Sequence, residues 1–124
     1  MALTFRTHVR EVSQVTILDI AGRVAIGDGS KELSQEIGQL VRNGRTQIVL
    51  NLAEVTYVDS SGLGELVSSF GAVKSAGGKL KLLHAQPRIE ALLRMTKLET
   101  LFERFSDEHE AVASFHEGSQ AASA

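Results

Sequence analysis

Two spacings of apolar residues alternate along this chain. Runs dense in β-branched and apolar residues, at 15–20 and 47–52, are separated by stretches in which apolar residues recur every three or four positions. The first helical stripe is Leu33, Ile37, Leu40 and Val41; the second is Leu63, Leu66, Val67, Phe70 and Val73. Dense runs fit strands, and the three-to-four spacing fits the buried face of a helix. Residues 3–21 read as two strands with a turn around Glu11, Val12 and Ser13. Gly22 opens a loop through Gly27, Asp28 and Gly29, and Ser30 is expected to cap the first helix. Asn43 and Gly44 stop that helix. A buried strand over 46–52 leads through a turn into the second helix, which ends near Ala76, Gly77 and Gly78. Residues 79–83 alternate as a short strand. Pro87 suits the first turn of a third helix, with Ile89, Leu92 and Leu93 facing inward. Leu101, Phe102 and Phe105 predict a last short strand or turn. Ser106 or Asp107 then caps a final helix carrying Ala111, Val112 and Phe115.

The order is β-β-α-β-α-β-α-(β)-α. It predicts an α/β fold, a mostly parallel sheet with helices packed on it, whose opening strand pair is antiparallel or at an edge. One domain is expected over 1–116, with a small polar tail, 117–124, expected to be disordered.

Composition narrows the function. The chain has 124 residues, 43% of them hydrophobic and 23% charged, ordinary values for a soluble globular protein. A formal net charge of -2 leaves no electrostatic footprint for direct nucleic-acid binding. The absence of cysteine removes disulfides, thiolate metal sites and cysteine nucleophiles. No run approaches the ~18 apolar residues that span a bilayer, and the first residues do not read as a leader. The expectation is a cytoplasmic protein without membrane insertion. The histidines, His8, His84, His109 and His116, lack metal-site spacing, so neither metal nor cofactor is expected. Val58 stands before Asp59-Ser60 where a Gly-x-Ser-x-Gly hydrolase elbow would need glycine. The glycines after Ser61 lack the Lys-Ser or Lys-Thr of a nucleotide-binding loop. No catalytic residue is expected.

The segment with chemical content is Val58-Asp59-Ser60-Ser61-Gly62-Leu63-Gly64. Hydroxyls, a carboxylate and two glycines meet where an extended run gives way to a helix. Amides at a helix start lack internal partners and carry partial positive charge, so a phosphate on a serine there is well placed. The plainer reading is a capped strand-to-helix turn, and on residue preferences alone it carries more weight. Ser61, nearer the helix, is the better cap, its hydroxyl bonding the amide of Leu63 or Gly64. Ser60 then stands outside the cap and projects from the turn.

The motif resembles the phosphorylation motif of the anti-sigma factor antagonists, which belong to the STAS domains (sulfate transporter and anti-sigma factor antagonist). The likeness extends to the approach Asn51-Leu52-Ala53-Glu54-Val55-Thr56-Tyr57-Val58, to Gly77-Gly78 before an alternating strand, and to residues 92–102. It covers most of 10–115. One segment departs. Family members often carry Gly-Glu-Leu-Asp before the first helix, whereas Ala25 stands near the usual acidic position here. Asp28 either substitutes for that acid or serves the turn, the role favoured by turn preferences. The resemblance implies a regulatory switch and not an enzyme. Its unphosphorylated form binds an anti-sigma factor that is also a serine kinase, phosphorylation at Ser60 releases that partner, and a serine phosphatase resets it. Asp28, Asp59, Ser61, Gly62, Leu63, Gly64, Glu65 and Ser68 are the implied partner-binding residues. A second class implied by the resemblance is a non-phosphorylated STAS scaffold or accessory subunit of a transporter or lipid-transport complex.

Overall fold

Val12 and Val15 pair across a two-residue turn, joining β1 (Arg6–Val12) to β2 (Val15–Val24) as an antiparallel hairpin. Ser13 and Gln14 hold φ of 49° and 70°, the left-handed pair whose twist matches that of the flanking strands. The turn therefore lies beyond the expected 11–13, because Glu11 and Val12 remain in the ladder opposite Thr16 and Val15. The computed structural model describes residues 5–27 and 29–123, with side chains through His116. Asp28 and the side chains of the expected tail, 117–124, lie outside the described residues.

The remaining elements are α1 (Ser30–Arg42), β3 (Gln47–Val58), α2 (Ser60–Ser75), β4 (Lys79–Leu83), α3 (Pro87–Met95), β5 (Arg104–Phe105) and α4 (Glu108–Ser123). They form one sheet in the order β1-β2-β3-β4-β5, parallel from β2 onward. The expected α/β order is observed. Two strands run further than the apolar density suggests. β2 continues past Ala21 to Val24, and β3 past Leu52 to Val58, still paired at Val24 and Val58 after two register shifts.

Both faces of the sheet are covered. Leu18, Ile20, Leu50 and Leu52 pack against Leu33 and Ile37 of α1, Leu66 and Val73 of α2 and Leu93 of α3. On the opposite face Val15, Ile17, Val49 and Leu83 meet Ala111 and Val112 of α4. A strand covered on both sides reads as a continuous apolar run, as β2 does at its start. Asp107 caps α4, its carboxylate accepting the Glu110 amide at 2.9 Å. Among the described residues no helix is long and apolar enough to cross a membrane.

The first helix is capped differently from the expectation. Gly29 occupies the N-cap and Ser30 is the first helical residue. Gly29 holds φ of 99°, and a Cβ there would fall 2.2 Å from the Arg23 carbonyl oxygen. Only glycine meets both conditions. The Glu32 carboxylate reaches back to the Gly29 amide at 3.2 Å.

Candidate functional site at the start of helix α2

The end of β3 carries two irregularities that aim the motif. Asp19 pairs with Asn51 but Ala21 with Glu54, and Gly22 pairs with Val55 but Arg23 with Tyr57. Each step places an extra residue on β3, which bends the strand and re-aims its end. Val58 still pairs with Val24, and the chain turns into α2 at Asp59.

Asp59, not Ser61, is the N-cap. Its backbone is extended, and its Oδ1 accepts the Gly62 amide at 2.8 Å. A carboxylate at this place satisfies an orphan amide and lies at the positive end of the helix. Ser60 and Ser61 are therefore the first two residues of the helix itself. This corrects the expectation that Ser61 caps the helix and Ser60 stands outside it; the two serines differ instead in exposure. Ser60 is exposed, and among the described residues no side chain hydrogen-bonds its hydroxyl. Ser61 is half-buried, and its Oγ lies 3.4 Å from Ser30 Oγ at the start of α1. The two helix starts thus converge behind Ser60.

The second oxygen of Asp59 ties in the loop before α1, accepting the Ile26 amide at 3.1 Å. The amides of Gly62 and Ile26 together hold the Asp59 carboxyl below its ordinary value. Ile26 itself is 78% exposed, a large apolar side chain whose backbone amide is held by Asp59, the residue before Ser60. In the sequence it is an isolated isoleucine within a glycine-rich turn.

The other expected partner residues separate into two sets. Gly62 and Leu63 point inward: Leu63 joins the core at 7% exposure, and a Cβ on Gly62 would sit 1.8 Å from the Val24 carbonyl oxygen. Gly64 and Ser68 are exposed, on the helix face that begins at Ser60. Glu65 is half-buried and accepts a hydrogen bond from the buried Ser69 hydroxyl at 3.1 Å. The outward face of α2 is small-sided along Ser60, Gly64 and Ser68, which lets another surface approach the backbone.

Among the described residues no three histidine, aspartate or glutamate side chains gather where they could hold a metal ion.

The sequence profile of the STAS domain matches residues 6–111. An anti-sigma-B factor antagonist of Bacillus subtilis (strain 168) is 31% identical over 86 residues, covering 69% of this chain and 77% of the relative. The anti-sigma-B factor antagonist of Staphylococcus aureus (strain NCTC 8325 / PS 47) is 33% identical over 70 residues, 56% of this chain and 65% of that one. Among solved structures, an anti-sigma factor antagonist from Mycobacterium paratuberculosis superposes with a TM-score of 0.81 at 19% identity, covering 92% of this chain and 96% of that chain. The phosphorylated form of the Bacillus cell fate determinant SpoIIAA superposes at 0.69 and 18% identity, covering 88% and 98%. The chain belongs to the STAS domain family, alongside relatives that are anti-sigma factor antagonists.

Proposed function

We propose that this chain is a phosphorylation-controlled anti-sigma factor antagonist without a catalytic step of its own. With Ser60 unmodified it binds an anti-sigma factor that is a serine kinase. The kinase transfers phosphate to Ser60 and the complex dissociates; a serine phosphatase restores the binding form. The reading places the protein in the cytoplasm. The observation that carries it is the position of Ser60, an exposed hydroxyl on the first residue of α2, beside the Asp59 carboxylate. The phosphorylated form of SpoIIAA, a structural neighbour, adds support by analogy.

The switch is electrostatic. Phosphate adds roughly -1.5 to -2 charge at pH 7. In a closed interface that charge is desolvated next to the ionised Asp59. A 100-fold loss of affinity takes only ~2.7 kcal/mol. In the free protein the same phosphate sits at a helix start, where the dipole favours it and the fold need not change.

The test uses a purified candidate kinase and ATP. Intact-mass and fragment-ion measurements are expected to find one phosphate, on Ser60. Calorimetry is expected to show tight binding for wild type and Ser60→Ala, and weak binding for the enzymatically phosphorylated protein and Ser60→Asp. Equal affinity for the modified and unmodified forms would sink the switch and favour a constitutive docking scaffold.

A further inference from the structure

The end of β3 has a neighbour on one side only. β4 pairs with β3 from Gln47 to Asn51 and stops there. From Leu52 to Val58 the strand continues beside β2 alone, and among the described residues no strand lies along its other edge. An open edge is a template for another extended chain.

Gln86 already fills the first part of that edge. Its Nε2 donates to the carbonyl oxygens of Ala53 at 2.8 Å and Val55 at 2.9 Å, in the place of a neighbouring strand's amides. The substitution ends at Val55. Beyond it a groove of about 580 Å³ opens between Thr56, Tyr57 and Val58 of β3 and Ala91, Leu92 and Met95 of α3. Met95 is 80% exposed over this groove, the most exposed large apolar side chain among the described residues. Among the described residues Arg88 is the one charged residue of the lining, and it is exposed. Among the described residues no carboxylate lines the groove to balance it.

We propose that this groove binds an extended acidic segment of a partner protein, which adds as a strand to β3 at Thr56–Val58. Backbone hydrogen bonds to the open edge supply register. Alternate apolar side chains of the segment rest on Leu92 and Met95, and the long, exposed Arg88 side chain at the rim reaches a carboxylate of the segment. The inference is independent of the Ser60 switch, since it rests on the strand edge and the charge of its rim.

The probe is a blocked decapeptide alternating valine and glutamate, titrated into the isotope-labelled full chain and followed by amide chemical shifts. Saturable shifts are expected at Thr56, Tyr57, Val58 and Leu92, with the amides of α1 unmoved. A decapeptide alternating valine and lysine is expected to bind at least tenfold more weakly. Arg88→Glu and Met95→Ser change exposed side chains, so both variants stay folded, and each is expected to weaken binding of the acidic peptide tenfold or more. Absence of saturable shifts, equal binding of the lysine peptide, or shifts centred away from these residues would overturn the proposal. So would concentration-dependent shifts of the same amides without peptide, which would give the groove to a second copy of the chain.

Discussion

Asp59 and Ile26, 33 residues apart, are joined by a 3.1 Å hydrogen bond from the Ile26 amide to Asp59 Oδ2. The other oxygen of the same carboxylate caps α2 through Gly62. One side chain thus fixes both the helix that presents Ser60 and the loop that presents Ile26. Asp59→Ala is expected to lower the thermal unfolding midpoint at pH 7 and to weaken binding of an anti-sigma factor. The sign of the pH dependence follows from the lowered carboxyl. Its stabilisation is present above the ordinary aspartate value of ~3.9 and is lost as pH falls through the depressed one. The gap between wild type and Asp59→Ala is therefore expected to close below that range. A gap unchanged between pH 7 and pH 2 would count against the ionised cap.

The two glycines of the motif do different work, and alanine separates them. At Gly62 the new methyl carbon would meet the Val24 carbonyl at 1.8 Å, so β3, β2 and the helix start must shift. Gly62→Ala is expected to cost about 1–3 kcal/mol through overpacking. At Gly64 nothing lies within 4 Å, and the residue is inside a helix. Gly64→Ala is expected to be neutral or to stabilise by up to about 1 kcal/mol. Urea denaturation of the two variants measures both, and a Gly62→Ala protein as stable as wild type would contradict the close approach.

Ser61 and Leu66 provide a second contrast along α2. With Asp59 as the cap, Ser61→Ala loses only a long contact to Ser30, and a change within about 0.5 kcal/mol is expected. Leu66 is 1% exposed in the core, so Leu66→Ala leaves a cavity and is expected to cost about 2–5 kcal/mol. Equal denaturation midpoints would show that the helix faces the sheet with a different side.

The alternation of strands and helices is legible because the sheet buries its apolar residues in runs and the helices bury theirs in stripes. Boundaries set by pairing are less legible. β3 runs on through Ala53, Glu54 and Thr56, which carry little apolar signal, because β2 continues alongside and pairs with Glu54, Val55, Tyr57 and Val58. The caps are hard to assign from sequence for a related reason. Ser and Asp are both good caps, and the choice of Asp59 over Ser61 depends on where β3 ends in space. Lys81 shows the limit of alternation. It occupies an alternating strand, yet that strand is covered on both faces. The lysine lies buried under α4, 2.8 Å from Ser114 Oγ and over the Phe115 ring. The motif itself was readable, as was the exposed hydroxyl. Ile26 and the groove beside Met95 were not, since exposure of an apolar residue follows from the tertiary arrangement and leaves no mark in the periodicity.

The last prediction concerns Arg10, which clasps β1, β2 and α4 together. Its guanidinium reaches Asp19 at 2.7 Å and Glu108 at 2.7 Å, with two hydrogen bonds to each carboxylate. Asn51 adds a donor to Asp19 at 2.8 Å. Glu108 and then Asp19 raise the arginine well above its ordinary value. Burial pulls the Asp19 carboxyl up, but hydrogen bonds from Arg10 and Asn51 outweigh it and hold the group below its usual range. The hydrogen bond from Arg10 likewise lowers Glu108. Each group is partly open to solvent, which limits the energy of the pairs, yet Arg10→Ala also leaves two carboxylates facing each other. A loss of about 1–2 kcal/mol is expected at pH 7, above the range of a single exposed pair. Arg10→Lys is expected to recover only part of it, because an ammonium cannot serve two carboxylates bidentately. Both carboxyls are lowered, so their stabilisation is complete above the ordinary values of ~4 and drains away as pH falls below them. Urea midpoints at pH 7 and pH 3 are therefore expected to differ for wild type more than for Arg10→Ala. If the two proteins lose stability in parallel on acidification, the clasp is not what makes this fold acid-sensitive.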